Sequence, residues 1–126
     1  MAKKVLVVDD DKLNIVLMER RLTEKGYEVV LARDGDVALD KVEKEHPDLM
    51  ILDIEMPRVN GYLVLSELAK MPAAPQLPVI ALTAHEELRP IFEHKGVRGY
   101  LIKPVNFATL FLKMEEIFCG PADMAK

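Results

Sequence analysis

Five short apolar runs rich in β-branched residues, each followed by a longer stretch of helical period, limit what this chain can fold into more than any other feature. They lie at residues 5–8, 28–32, 49–52, 79–82 and 99–102. Four of the five are continuous rather than alternating, as strands buried on both faces are. Elsewhere apolar residues recur at helical spacing: Leu13, Ile15, Met18 and Leu22; Val37, Ala38 and Val42; Leu63, Val64 and Leu68; and, most clearly, Phe107, Leu110, Phe111, Met114, Ile117 and Phe118. The last set makes one stripe about three turns long, which reads as core rather than as a binding surface. Strand then helix, five times over, predicts an α/β fold: a five-stranded parallel sheet between two helical layers, a three-layer sandwich with right-handed crossovers.

Turn-forming residues fall at the joints. Gly26 follows the first helix as a C-cap, Asp34-Gly35 opens the second, His46-Pro47 closes it, Asn60-Gly61 precedes the third, and Asn106 caps the last. The fourth helix is the exception, because Arg89-Pro90 stands where it should run and proline costs a helix interior about 3 kcal/mol. A helix that starts near Leu88 or Pro90 and stops before Gly96 is short or irregular, with Leu88, Ile91 and Phe92 to anchor it. The 126 residues are expected to form one domain, 1–119, with a short disordered tail at 120–126.

Composition narrows the function. Seventeen basic against 21 acidic side chains, a formal charge of −4, disfavour nucleic acid or an anionic membrane as partner. The apolar run after Lys3-Lys4 ends at three aspartates and is too short for a signal sequence. A single cysteine, Cys119, cannot make an internal bridge. A cytoplasmic protein, monomeric or weakly dimeric, is expected.

In open parallel sheets the working groups gather beyond the carboxyl ends of the strands. There the first run stops at Asp9, Asp10 and Asp11, the third at Asp53, the fourth at Thr83 and the fifth at Lys103-Pro104. If Asp9, Asp10 and Asp53 converge, like charges about 4 Å apart repel by roughly 4 kcal/mol at an effective dielectric of about 20. Lys103 offsets part of this. A hard divalent cation would offset the rest, and few protein oxygens with several waters suits Mg²⁺ better than Ca²⁺. A carboxylate beside such a metal, an ammonium and a hydroxyl can accept a phosphoryl group. Asp53 would be the nucleophile, Asp9 and Asp10 would hold the metal, and Lys103 and Thr83 would contact the phosphoryl oxygens.

The segments Val5-Leu6-Val7-Val8-Asp9-Asp10-Asp11, Leu49-Met50-Ile51-Leu52-Asp53-Ile54-Glu55-Met56-Pro57 with Asn60-Gly61, Val79-Ile80-Ala81-Leu82-Thr83-Ala84 and Gly99-Tyr100-Leu101-Ile102-Lys103-Pro104, in this order and spacing, closely resemble the receiver domain of bacterial two-component response regulators. The resemblance implies a flavodoxin-like sheet of order 2-1-3-4-5 with five helices, and a stand-alone signalling switch, not an enzyme in the ordinary sense, that promotes its own phosphorylation and dephosphorylation at Asp53. A sensor histidine kinase or histidine phosphotransfer protein would supply the phosphoryl group. Asp10, Asp53 and the backbone carbonyl of Glu55 would ligate Mg²⁺, with Asp9 acting through water. Thr83 and Tyr100 would be the switch pair, Tyr100 turning inward, and a downstream protein would read the face of the fourth helix, fifth strand and fifth helix. The Lys103-Pro104 bond would be cis.

Other readings stand beside this one. A flavin-binding protein of similar topology would need a phosphate loop where this chain has three acids. An aspartate-nucleophile phosphatase would use Asp9 and Asp11 but lacks room for further motifs. A pseudo-receiver, an interaction module that takes no phosphate, is the main alternative. Glu55 and His85, each two residues beyond a site residue, are either tuning groups at the phosphosite or plain surface, whereas His46 and His94 read as surface.

Overall fold

The computed structural model describes residues 2–55, 61–72 and 76–124, with 120–124 as backbone only. Strands β1 (Lys4–Val8), β2 (Glu28–Ala32), β3 (Leu49–Asp53), β4 (Val79–Thr83) and β5 (Gly99–Ile102) alternate with helices α1 (Lys12–Glu24), α2 (Gly35–Glu45), α3 (Gly61–Lys70), α4 (Arg89–His94) and α5 (Phe107–Met124). All neighbouring strands are parallel, in the order β2-β1-β3-β4-β5. The fold expected from the apolar runs and from the family resemblance is the one observed.

Strand periodicity divides the core in two. Leu6, Val8, Met50, Leu52, Val79, Ala81 and Tyr100 point to one face, where Ala38 and Val42 of α2, Val64, Leu65 and Leu68 of α3, and Phe92 of α4 cover them. Val5, Val7, Leu49, Ile51, Ile80 and Leu82 point to the other, under Ile15, Met18 and Leu22 of α1 and Leu110 and Met114 of α5. Both faces of β1, β3 and β4 are thus sealed by hydrocarbon, which is why their sequences do not alternate. The α5 stripe is core as expected.

The capping residues act as their chemistry dictates. Asp34 Oδ1 accepts the Val37 N–H at 2.8 Å, and Asn106 Oδ1 accepts the Thr109 N–H at 3.1 Å. His46 closes α2 in the left-handed region at φ 50°, and Gly26 takes φ 99° just beyond α1. Asn60, Met56 and Pro57 lie outside the described residues.

Several boundaries differ from those read in the sequence. β3 and β4 run one residue further than their apolar runs, because Asp53 still pairs with Leu82 and Thr83 with Ile102 in the ladder. The backbone of α5 continues to Met124, past Gly120, where the sequence suggested a tail. The fourth helix is short as predicted, six residues preceded by a 3₁₀ turn at Glu86–Leu88, with Pro90 in its first turn. Of its three expected anchors Phe92 is buried and Leu88 packs partly, whereas Ile91 is 49% exposed.

Gly61 does more than mark a turn. A Cβ built there would lie 2.7 Å from Ile54 Cγ2 and 2.9 Å from Ile54 Cα, so only glycine lets the start of α3 close over the end of β3. Gly61→Ala should therefore cost about 1–3 kcal/mol of stability in urea denaturation despite the better helix propensity of alanine. An unchanged midpoint would mean that Ile54 yields freely.

Candidate functional site

The sheet register assembles the site. Val8 pairs with Leu52, so the next residue of each strand, Asp9 and Asp53, emerges side by side at the carboxyl edge. Asp9 is further tied to the sheet by its N–H, which donates to the Ala32 carbonyl at 3.1 Å. Asp53 is 3% exposed, Asp9 5% and Thr83 0%, while Asp10 is half-buried. One carboxylate oxygen from each of Asp9, Asp10 and Asp53 lies within 4.8 Å of the others.

Each buried acid is held by particular donors. Asp9 Oδ1 accepts the Asp11 N–H and Asp53 Oδ1 accepts the Glu55 N–H, both at 2.9 Å. Lys103, carried past the end of β5 with its cis bond to Pro104, donates from Nζ to Asp53 Oδ2 at 2.9 Å. Two residues outside the expected set contribute. Asp11 caps α1 through the Leu13 and Asn14 N–H groups, and Arg33 donates to the Asp10 carbonyl at 3.1 Å, tying the β1–α1 turn to the end of β2. An aspartate just before a helical period was a readable cap signal. The reach of Arg33 had none.

Thr83 and Tyr100 meet at the backbone of one residue, His85. Thr83 Oγ1 accepts the His85 N–H at 3.0 Å, and the Tyr100 hydroxyl donates to the His85 carbonyl at 2.7 Å. Tyr100 is buried, its ring 5.1 Å from the Arg89 guanidinium, so it already points inward here. His85 itself is exposed, but its Nε2 lies 2.9 Å from Glu55 Oε2, so these two residues form one contact beside the site. His46 and His94 are exposed, as read from the sequence.

Electrostatics follow from burial. Desolvation, opposed by the hydrogen bond from the Asp11 N–H and reinforced by the charge of Asp53, pushes the Asp9 pKa up to about 6. Burial works against the charge of Lys103, but the hydrogen bond to Asp53 and the negative charges of Asp53, Asp9 and Glu55 prevail and raise its pKa. A cluster of hard oxygen donors still short of positive charge fits a magnesium ion by its chemistry.

A doubly wound parallel domain with an acid cluster, a lysine and a buried hydroxyl at its carboxyl edge belongs to a narrow class. Residues 5–115 match the profile described as the response regulator receiver domain. The chain is 33% identical over 119 residues to response regulator PleD of Caulobacter vibrioides and 37% identical over 108 residues to the alkaline phosphatase synthesis transcriptional regulatory protein PhoP of Bacillus subtilis. Those alignments cover 93% and 84% of this chain but 26% and 44% of the relatives' own lengths. Among solved structures, chemotaxis protein CheY4 of Vibrio cholerae superposes with a TM-score of 0.86 at 30% identity, over 93% of this chain and 99% of that one. The receiver domain of sensor histidine kinase PA1611 from Pseudomonas aeruginosa, solved with magnesium in its active-site cleft, gives 0.83 at 29% identity, over 94% and 99%. This chain belongs to the receiver domains of two-component response regulators. The general role of that family is a phosphorylation-based switch with an acidic, magnesium-binding pocket.

The raised Asp9 pKa carries a stability consequence. In the folded state Asp9 holds its proton to about pH 6, whereas an unfolded aspartate releases it near pH 4. Between those values the folded state binds more protons, so this contribution to stability is full below about pH 4 and lost as pH rises through about 6. In chelator, Asp9→Asn should exceed wild type in stability by about 1–2 kcal/mol at pH 7.5, with a smaller advantage at pH 4. Urea titrations at both pH values check this, and Mg²⁺ should shrink the gap.

Proposed function

We propose that this domain accepts a phosphoryl group on Asp53 from a phosphohistidine of a sensor kinase or phosphotransfer protein and passes the change to a protein target. The observation that carries this reading is the Asp53 carboxylate, buried at the strand edge with Oδ1 on a backbone N–H and Oδ2 on Lys103 Nζ. Those two donors fix the carboxylate plane before a donor arrives. An Asp53 oxygen would attack phosphorus, forming an acyl phosphate as the donor's P–N bond breaks and its imidazole takes a proton. Lys103 would move from Asp53 to the phosphoryl oxygens, and Thr83 would give its hydroxyl to them.

Asp10 and Asp53, with the backbone carbonyl of Glu55, would hold Mg²⁺ directly, and Asp9 through water. The ion would neutralise charge on the transferring group. The intact donor set also speaks against a pseudo-receiver, which has no use for a half-buried lysine held on an aspartate.

Output would follow from the α4–β5–α5 face, where Ile102 and Leu112 are 36% and 64% exposed beside a groove of about 380 Å³. Among the described residues no helix is long and apolar enough to cross a membrane. A cytoplasmic location and a monomeric or weakly dimeric state complete the reading.

Incubation with acetyl phosphate and Mg²⁺ should add one phosphoryl group, stable in acid and labile in base, that is absent from Asp53→Asn and from wild type in chelator. Lys103→Ala should retain folding but lose most of the modification. A modification that persists in Asp53→Asn would place the acceptor elsewhere. Separately, the six-residue α4 with little buried surface should exchange its amide hydrogens far faster than α5 in unphosphorylated protein. Equal protection of the two helices would remove the expectation of a mobile output face.

A further inference from the structure

The Glu55 side chain is the group at this site for which phosphoryl acceptance has no use. It is half-buried, and both of its oxygens are engaged. Oε1 accepts the Ala84 N–H at 2.9 Å and lies 3.8 Å from Lys103 Nζ, while Oε2 lies 2.9 Å from His85 Nε2. Lys103 is the same ammonium that holds Asp53 Oδ2, and the Glu55 N–H is the donor on Asp53 Oδ1. The carboxylate is thus tethered by its own backbone to the acceptor aspartate and held toward the ends of β4 and β5 by Ala84 and Lys103.

We propose that the Glu55 carboxylate is a built-in placeholder anion. It occupies the Ala84 N–H and shares the Lys103 ammonium where a phosphoryl group on Asp53 would bind, so an incoming phosphoryl group must displace it. The inference rests on Asp53 being the phosphoacceptor. Its chemistry is that of competing oxyanions: a carboxylate oxygen and a phosphoryl oxygen seek the same donors, and a backbone N–H has one proton to give. Two such anions over one ammonium also repel. His85 has a defined part, because its contact with Oε2 gives the carboxylate a partner to stay with when Oε1 leaves Ala84 and Lys103. The placeholder screens the Lys103 ammonium in the resting site and raises the barrier to adventitious phosphorylation by small anionic donors. A protein donor that brings its own contacts can overcome it.

The test compares wild type with Glu55→Gln and Glu55→Ala, variants that keep the backbone groups of residue 55. The readouts are the rate of Asp53 labelling by acetyl phosphate with Mg²⁺, the beryllofluoride concentration needed for half-saturation, and the Ala84 amide resonance. Loss of the charge should raise the labelling rate about five- to tenfold and lower the half-saturating beryllofluoride by a similar factor, as expected for removing a like charge a few ångströms away at a partly screened edge. In Glu55→Ala the Ala84 amide should shift and exchange faster before any ligand is added. Labelling within about twofold in all three proteins, with an unmoved Ala84 amide, overturns the placeholder and leaves the phosphoacceptor reading intact. No labelling of Asp53 in any of them overturns that reading and the placeholder with it.

Discussion

The parallel register that sets Asp9 beside Asp53, with Lys103 reaching over from the far side of β4, is the constraint on which the rest of this molecule depends. Two carboxylates almost closed off from water repel each other and lose hydration. They stay there because the sheet leaves them no alternative. Asp53 is the last residue of a strand whose other four positions are buried in hydrocarbon, and Asp9 is tied to β2 by its own amide. Apolar burial on two faces, at about 25 cal/mol per Å² of surface removed from water, supplies stability that the acid cluster draws down. A site short of positive charge is the result, and this shortage is what favours a divalent cation among the three acids.

Rigidity is unevenly shared around that edge. β1, β3 and β4 are sealed on both faces, whereas the segment after β4 is a single 3₁₀ turn and a six-residue helix held mainly by Phe92. Its other restraints are exposed: Arg89 pairs with Glu86 and Glu93, contacts of the kind that contribute little in water. Phe92 and Tyr100 rings lie 6.3 Å apart, so the one buried side chain of α4 rests on the aromatic of β5. A shift of Tyr100 would therefore change the packing of that helix.

Much of this could be read from the residues. Continuous apolar strands, the helical stripes and the joints at Gly26, Asp34, His46 and Asn106 follow from local periodicity and capping chemistry, which are one-dimensional signals. The polar strand ends named Asp9, Asp10, Asp53, Thr83 and Lys103 for the same reason. Boundaries were less legible, because Asp53 and Thr83 break the apolar pattern yet keep their places in the hydrogen-bond ladder, and the backbone of α5 runs on through Gly120. Gly61 looked like half of a turn, and only the approach of Ile54 reveals it as a packing requirement. The links from Arg33 to Asp10 and from Glu55 to Ala84, Lys103 and His85 join residues on different strand ends. No spacing along the chain encodes them.

Those cross-links converge on one residue, His85. The His85 N–H is bound by the Thr83 hydroxyl oxygen, its carbonyl by the Tyr100 hydroxyl and its ring by Glu55. Thr83 cannot carry its hydroxyl to a group on Asp53 and also keep the His85 N–H as it is now bound. Nor can Glu55 leave Ala84 while holding the His85 ring without drawing on that residue. Both moves would shift His85, whose carbonyl holds Tyr100 inward, and Tyr100 in turn supports Phe92 of α4. Coupling between the acid cluster and the α4–β5 surface needs no long relay in this fold. It would need the hydrogen bonds of a single residue to be exchanged, in a segment whose helix has Phe92 as its buried side chain.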